Sequence, residues 1–224
     1  MELDVALRTT AAIRSFTPEP VDDPTLHRIL EAARFAPSGG NRQAWRVMVI
    51  KDPVLRKGLR DLYLVGWSDY LAQRAAGLVP WAALTDRKAE AEAIAAGGSA
   101  DPGEFAANLD TVPALLVVMA DLRGLAAVDR DYDRYTFAGG ASVYPFVWNL
   151  LLAARGEGLG GVLTTMLVRQ EQAVRDLLHV PQEYAVAAMV ALGHPVTQPT
   201  KLRRTAVEDF TTFDRFDGPP FTAG

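Results

Sequence analysis

Gly156-Glu157-Gly158-Leu159-Gly160-Gly161 matches the G-x-G-x-x-G pattern that cradles a dinucleotide pyrophosphate. That chemistry needs a strand before the glycines and a helix after them, so that phosphate meets a helix N-terminus. Here the order is helix, glycines, strand, and the run reads as a helix stop feeding a strand. Asp129, Asp131 and Asp133 alternate as oxygen ligands would, yet no turn glycine and no closing Glu completes a calcium loop; a solvated loop is the better reading. His27, His179 and His194 are widely separated with no pair at helical spacing, which argues against zinc. Ser38 lacks the G-x-S-x-G elbow and a neighbouring histidine, which argues against serine hydrolysis. The sequence contains no cysteine, which excludes thiolate nucleophiles, disulfides and iron–sulfur clusters. No metal site is expected.

The elements that must position any site follow from the hydrophobic pattern. Residues 2–9 suit a short opening helix. A firmer one covers about 24–35, with Asp23 as cap, Pro24 at the first helical position, and Leu26, Ile29, Leu30 and Ala33 on one face. Pro37-Ser38-Gly39-Gly40-Asn41 breaks it. Arg46–Ile50 reads as a strand and 53–63 as a second helix. Residues 65–110 are less regular: they carry Trp67, Tyr70, Trp81 and Phe105, with Gly97-Gly98-Ser99 and Pro102-Gly103 as turns, and read as a lid excursion. Ala114–Ala120 is a central strand. A long helix spans about 141–157, with Pro145 in its first turns or kinking it and Gly158 at its stop. A strand over 161–165, a helix over 171–178 and a buried strand over 185–192 complete the pattern, ahead of a polar, extended tail. Helices and strands interleave without a βαβ rhythm, so the fold class is α+β.

With 224 residues, 49% of them hydrophobic, the chain can bury one sizeable core and is short for two, so 1–224 reads as a single domain. A net charge of −4 gives no electrostatic footprint for nucleic acid. The N-terminus has no signal-peptide pattern and no run of about 18 apolar residues occurs, so no membrane partner is expected and the reading is cytoplasmic.

Four segments stand out in order along the chain: Ala11-Ala12-Ile13-Arg14-Ser15-Phe16 with Pro20-Val21; Ala36-Pro37-Ser38-Gly39-Gly40-Asn41-Arg42-Gln43-Ala44-Trp45; Gly158-Leu159-Gly160-Gly161-Val162-Leu163-Thr164-Thr165; and Leu192-Gly193-His194-Pro195 followed by Lys201-Leu202-Arg203-Arg204. Together they resemble the nitroreductase family of flavoproteins over nearly the whole chain, and P-S-x-x-N-x-Q-x-W is the most specific piece. The resemblance departs at Thr10, Ala11 and Ala12, where the family often carries arginines and a serine, and at Ala44, where proline is common.

What the resemblance implies is a mostly antiparallel sheet flanked by helices, with a lid at about 65–110 and a C-terminal dimer arm at about 196–224. It implies bound FMN at the interface of a homodimer, with NADH or NADPH as reductant. Arg14, Lys201 and Arg203 would meet the phosphate, since guanidinium and ammonium groups suit a dianion. Ser38, Gly39, Asn41 and Gln43 would contact the ring and ribityl chain. Leu163, Thr164 and Thr165 would lie beneath the ring, a backbone N–H facing its N5. Trp67, Tyr70, Trp81 and Phe105 are the candidate walls for a small electron-poor aromatic acceptor, a nitro compound or quinone. The implied activity is ping-pong hydride transfer from NAD(P)H through the flavin to that acceptor, with no catalytic side chain required. The alternatives are a non-enzymatic FMN-binding or storage protein, or a flavin-destroying or dehalogenating member of the same superfamily.

Overall fold

A computed structural model describes residues 1–97 and 101–222. Gly98 and Ser99 of the expected turn lie outside these residues. In chain order the elements are α1 (Leu3–Thr9), α2 (Asp23–Ala33), β1 (Trp45–Val49), α3 (Pro53–Ala75), α4 (Arg87–Ala96), α5 (Glu104–Ala107), β2 (Ala114–Asp121), α6 (Tyr144–Gly156), β3 (Gly160–Thr164), α7 (Glu171–Leu178) and β4 (Tyr184–Gly193). Among the described residues the strands form one antiparallel sheet in the order β1-β2-β4-β3. The fold is α+β, with the antiparallel sheet that the resemblance implies.

Strand β2 shows why the sheet sits in the middle. Its side chains alternate in direction, as a pleated strand requires. Leu116, Val118 and Ala120 join a core with α2 and α6, while Leu115, Val117 and Met119 join a second core with α3 and α7. Both faces are covered, so the strand carries no polar alternation before Asp121. Strand β4 has one extra residue where its register with β2 shifts between Val118 and Met119. There the Tyr144 hydroxyl of α6 donates to the Ala187 carbonyl at 3.2 Å.

Several local expectations change. The cap of α2 is Asp22, whose carboxylate accepts from Thr25 N–H at 2.8 Å. Pro145 lies in the first turn of α6, where its missing N–H costs nothing, and does not kink it. The largest difference is α3, which runs to Ala75, so residues 65–75 of the expected lid are regular helix. Gly66, inside this helix, is a point of close approach. A Cβ there would meet the Met166 carbonyl at 3.0 Å and Arg169 Cβ at 3.2 Å. The tail beyond residue 194 is extended, but its tip closes on itself. Phe213 N–H donates to the Pro219 carbonyl, and the Phe213 and Phe221 rings lie 5.1 Å apart. Phe210 and Phe216 remain exposed.

Asp129 organises the loop between β2 and α6. Its side chain is buried and accepts from Phe137 N–H, Ala138 N–H and the Arg134 guanidinium. The Phe137 N–H first, then the Arg134 guanidinium and the Ala138 N–H, hold its carboxyl at about 2, well below the usual carboxylate range. A lowered folded-state pKa contributes stability that is present above the unfolded pKa and lost as pH falls through the folded one. Thermal melting between pH 4 and pH 2 should therefore fall more steeply in the native chain than in Asp129→Asn. Equal slopes would show that the loop does not depend on this charge.

Candidate functional site

The two glycines that open β3 serve packing. A Cβ at Gly160 would lie 2.7 Å from Ile13 Cγ1, so the bare backbone lets residues 12–16 press against the edge of β3. Ala12 bridges to Gly161, and Ile13 N–H donates to the Gly161 carbonyl at 2.9 Å. On its other side the segment meets the fourth motif: Thr17 N–H donates to the His194 carbonyl at 2.8 Å and Val196 N–H to the Ser15 carbonyl at 3.1 Å. Three of the four sequence segments thus form one edge of the molecule.

This edge carries a cleft of about 230 Å³ lined by Arg14, Tyr63, Trp67, Tyr70 and Leu163–Met166. Strand β3 ends at Thr164, and among the described residues Thr165 N–H has no acceptor. The opposite wall is a helical stripe. Tyr63, Trp67 and Tyr70 are spaced four and three apart on α3, so they share one face. Their rings stack at 5.9 Å and then 4.8 Å. Trp67 is fixed by its indole N–H, which donates to the Pro102 carbonyl at 2.8 Å. Burial pushes the Tyr63 phenol above its ordinary range, opposed by the Thr164 hydroxyl and the Arg14 charge, so it stays neutral at neutral pH.

Tyr63 was not among the sequence candidates. Its signal was present as the 63-67-70 helical spacing, but became visible only once the helix was carried past Gly66.

The four candidate aromatics divide. Trp67 and Tyr70 line the cleft. Trp81 lies behind Tyr70 at 6.4 Å, beneath the Arg169 guanidinium, and is not in the lining. Its left-handed backbone is held by the buried Gln73, whose Oε1 accepts from Trp81 N–H at 3.0 Å. Phe105 lines a neighbouring cleft of about 340 Å³ with Arg14, Phe16 and Asn108.

The P-S-G-G-N loop is elsewhere. Gly40, Asn41 and Gln43 all have positive φ, 61°, 52° and 49°. Two of these are not glycine, a strained conformation that needs support. Ser38 Oγ supplies it by accepting from Gln43 N–H at 2.9 Å, and Ser142 Oγ accepts from Gly39 N–H at 3.0 Å. Gly39, Asn41 and Gln43 are exposed. The loop precedes β1, on the sheet edge opposite β3. Thr164 is in register with Met189, Val117 and Met48, and Gln43 lies five residues before Met48. Strand geometry then separates Gln43 from Thr164 by about 14 Å across the sheet and about 17 Å along it. One protomer does not bring the two together.

The basic tail residues are also divided. Lys201 lines a cleft with Arg8, Thr200, Leu202, Arg204 and Thr205, whereas Arg14 lines the two clefts already described, and Arg203 lines none of them. Among the described residues no cluster of His, Asp or Glu could hold a metal, and no helix is long and apolar enough to cross a membrane.

Comparison with known proteins agrees with this architecture. The family model "Nitroreductase family" matches residues 7–194. An NADH dehydrogenase of Thermus thermophilus is 31% identical over 197 residues, 88% of each chain. Among solved structures, a BluB-like flavoprotein from Clostridium difficile superposes with a TM-score of 0.67 at 21% identity, covering 96% of this chain and 100% of that one. An oxidized iodotyrosine deiodinase bound to FMN and 3-iodo-L-tyrosine gives 0.65 at 24% identity, again over 96% and 100%. With the motifs in order and the sheet in place, the chain belongs to the nitroreductase family.

Proposed function

We infer that this protein is an FMN-dependent oxidoreductase that passes a hydride from NADH or NADPH to an electron-poor aromatic acceptor, such as a nitroaromatic or quinone, and that it works as a homodimer. The observation that carries this reading is the Arg14 cleft, which pairs an exposed cation and a Thr165 N–H without an acceptor among the described residues with a stacked aromatic wall. The donor set fits a flavin. Arg14, Leu163, Thr164 and Thr165 would hold it from one protomer, and the half-buried Ser38 with the exposed Gly39, Asn41 and Gln43 would reach it from a second copy. The separation of these two groups across the sheet supports a shared site. So do the exposed Tyr144 and Trp148, one helical turn apart on α6, since large apolar groups favour burial against a partner.

When bound, the flavin supplies hydride chemistry at its N5. The chain contributes orientation and electrostatics. The Arg14 guanidinium would offer positive charge to the ring, Thr165 N–H would donate a hydrogen bond to it, and the neutral Tyr63 phenol could donate another without bringing in charge. Trp67 and Tyr70 exclude water and offer a face on which a planar acceptor stacks.

The test is spectroscopic. The purified chain should be yellow or bind added FMN, and should lose the oxidised-flavin absorbance when mixed anaerobically with NADH or NADPH. Adding a nitroaromatic or quinone should then restore it. Flavin that binds yet never bleaches would identify a storage protein, and a chain that takes no FMN would overturn the reading altogether.

A further inference from the structure

The cleft beside α1 contains three cations and no acidic lining residue. It has a volume of about 540 Å³ and is lined by Leu7, Arg8, Thr200, Lys201, Leu202, Arg204 and Thr205. Such an arrangement is unusual in a chain of net charge −4, because like charges gathered in one concavity repel. The juxtaposition is built into the fold: Gln198 Nε2 donates to the Thr9 carbonyl at 2.8 Å, which ties the start of the basic tail to the end of α1. Asp4 engages Arg8 through its Nε, which leaves both terminal nitrogens for a ligand among the described residues. Arg204 bends back, one terminal nitrogen donating to the Arg203 carbonyl at 2.7 Å, while Lys201 makes no ion pair among the described residues. Two threonine hydroxyls complete a donor-rich, acceptor-poor lining suited to a phosphomonoester.

We propose that Arg8, Lys201 and Arg204 form the phosphate cradle of this chain, with Arg8 and Arg204 supplying charge that Thr10, Ala11 and Ala12 cannot, and that Arg14 serves the ring end of the ligand instead. This rests on the flavin reading above. Residues 9–13 join the two clefts in the chain, with Ala12 and Ile13 paired to Gly161 at the start of β3, so one elongated ligand would span both: an anionic group beside α1 and a planar group against Tyr63 and Trp67.

The test compares FMN with riboflavin, which lacks the phosphate, by quenching of flavin fluorescence on the full chain. The native protein should bind FMN more tightly. Arg8→Ala and Arg204→Ala should each lower FMN affinity by about tenfold or more, the loss expected for one charge-assisted hydrogen bond, while riboflavin affinity changes less than about twofold. Arg8→Lys should recover part of the loss. Circular dichroism melts of each variant keep unfolding from being mistaken for lost binding. Equal losses for both flavins, no loss for either, or a loss in Arg203→Ala that Arg8→Ala does not share would overturn the cradle. A native protein that binds neither flavin would instead overturn the flavin reading. Inorganic phosphate then judges the cleft alone: it should raise the melting temperature of the native chain more than that of Arg8→Ala, and an equal shift in both would overturn the site.

Discussion

Two flavin-deficient variants, Arg14→Glu and Gly39→Trp, should restore flavin binding to each other when co-expressed. Arg14→Glu replaces the cation of the cleft with a carboxylate and should weaken FMN by about a hundredfold. Gly39→Trp acts from the other edge of the sheet. Gly39 does not have a positive φ, and a Cβ there would meet Ser142 Oγ at an ordinary 3.4 Å, so its own backbone admits a Cβ at this exposed position. The added bulk projects from an exposed loop into whatever that loop faces. If the site is shared between copies, each heterodimer has one site with both lesions and one with neither. Random mixing then restores about one site in four, by the two-fold symmetry of the assembly. Flavin per chain, measured after separating dimers from monomers, reads this directly. A mixed sample as empty as the two parents would show that both residues act on the same site within one protomer, or that the chain is not a dimer.

Gly161→Val is expected to cause the greatest loss of stability among these substitutions. A Cβ at this position would collide with Leu192 Cδ2 and lie 2.9 Å from the Ala191 carbonyl and 3.0 Å from Leu151 Cδ2. One neighbour is backbone of the central strand β4, so the strand itself must shift. Overpacking of this kind costs about 3 kcal/mol at the upper end of its common range, or roughly 10 °C of melting temperature for a chain of this size. The same shift strains the Ile13 bond to the Gly161 carbonyl, which positions Arg14, so flavin affinity should fall along with stability. Gly156→Ala is the control. It stands at the end of α6 with nothing within 4 Å of its Cβ, and should be neutral or slightly stabilising. A Gly161→Val protein that melts within about 3 °C of the native chain would mean that β3 and β4 can separate without penalty, contrary to the packing described.

What the sequence determined by itself was whatever short-range chemistry decides. Leu26, Ile29 and Ala33 lie on one face of α2 because a period of 3.6 places them there, and all three are buried. The seven apolar residues from Ala114 to Ala120 form a strand buried on both faces, as an unbroken run of that length requires. The helix–glycine–strand order at 156–161 was also legible, and it removed the dinucleotide reading. Where local rules tie, they fail in small ways: Asp22 and Asp23 are adjacent carboxylates before the same helix, and only the backbone path made Asp22 the cap. Gly66 shows a larger failure. Its entropic cost in a helix is visible in sequence, whereas the Met166 carbonyl that requires a bare Cα comes from a hundred residues further on.

The site divides in the same way. The four segments that carry the family resemblance were recognisable from residue type and order, because their chemistry is written in consecutive residues. Which of them face a common cleft was not. That depends on the strand order β1-β2-β4-β3, which places the Ser38–Gln43 loop and the Arg14–Thr165 cleft on opposite edges, and on the Gln198 tie that sets Lys201 beside Arg8 rather than beside Arg14. Strand order is decided by which apolar faces bury one another across the whole chain, and no window of neighbouring residues contains that information.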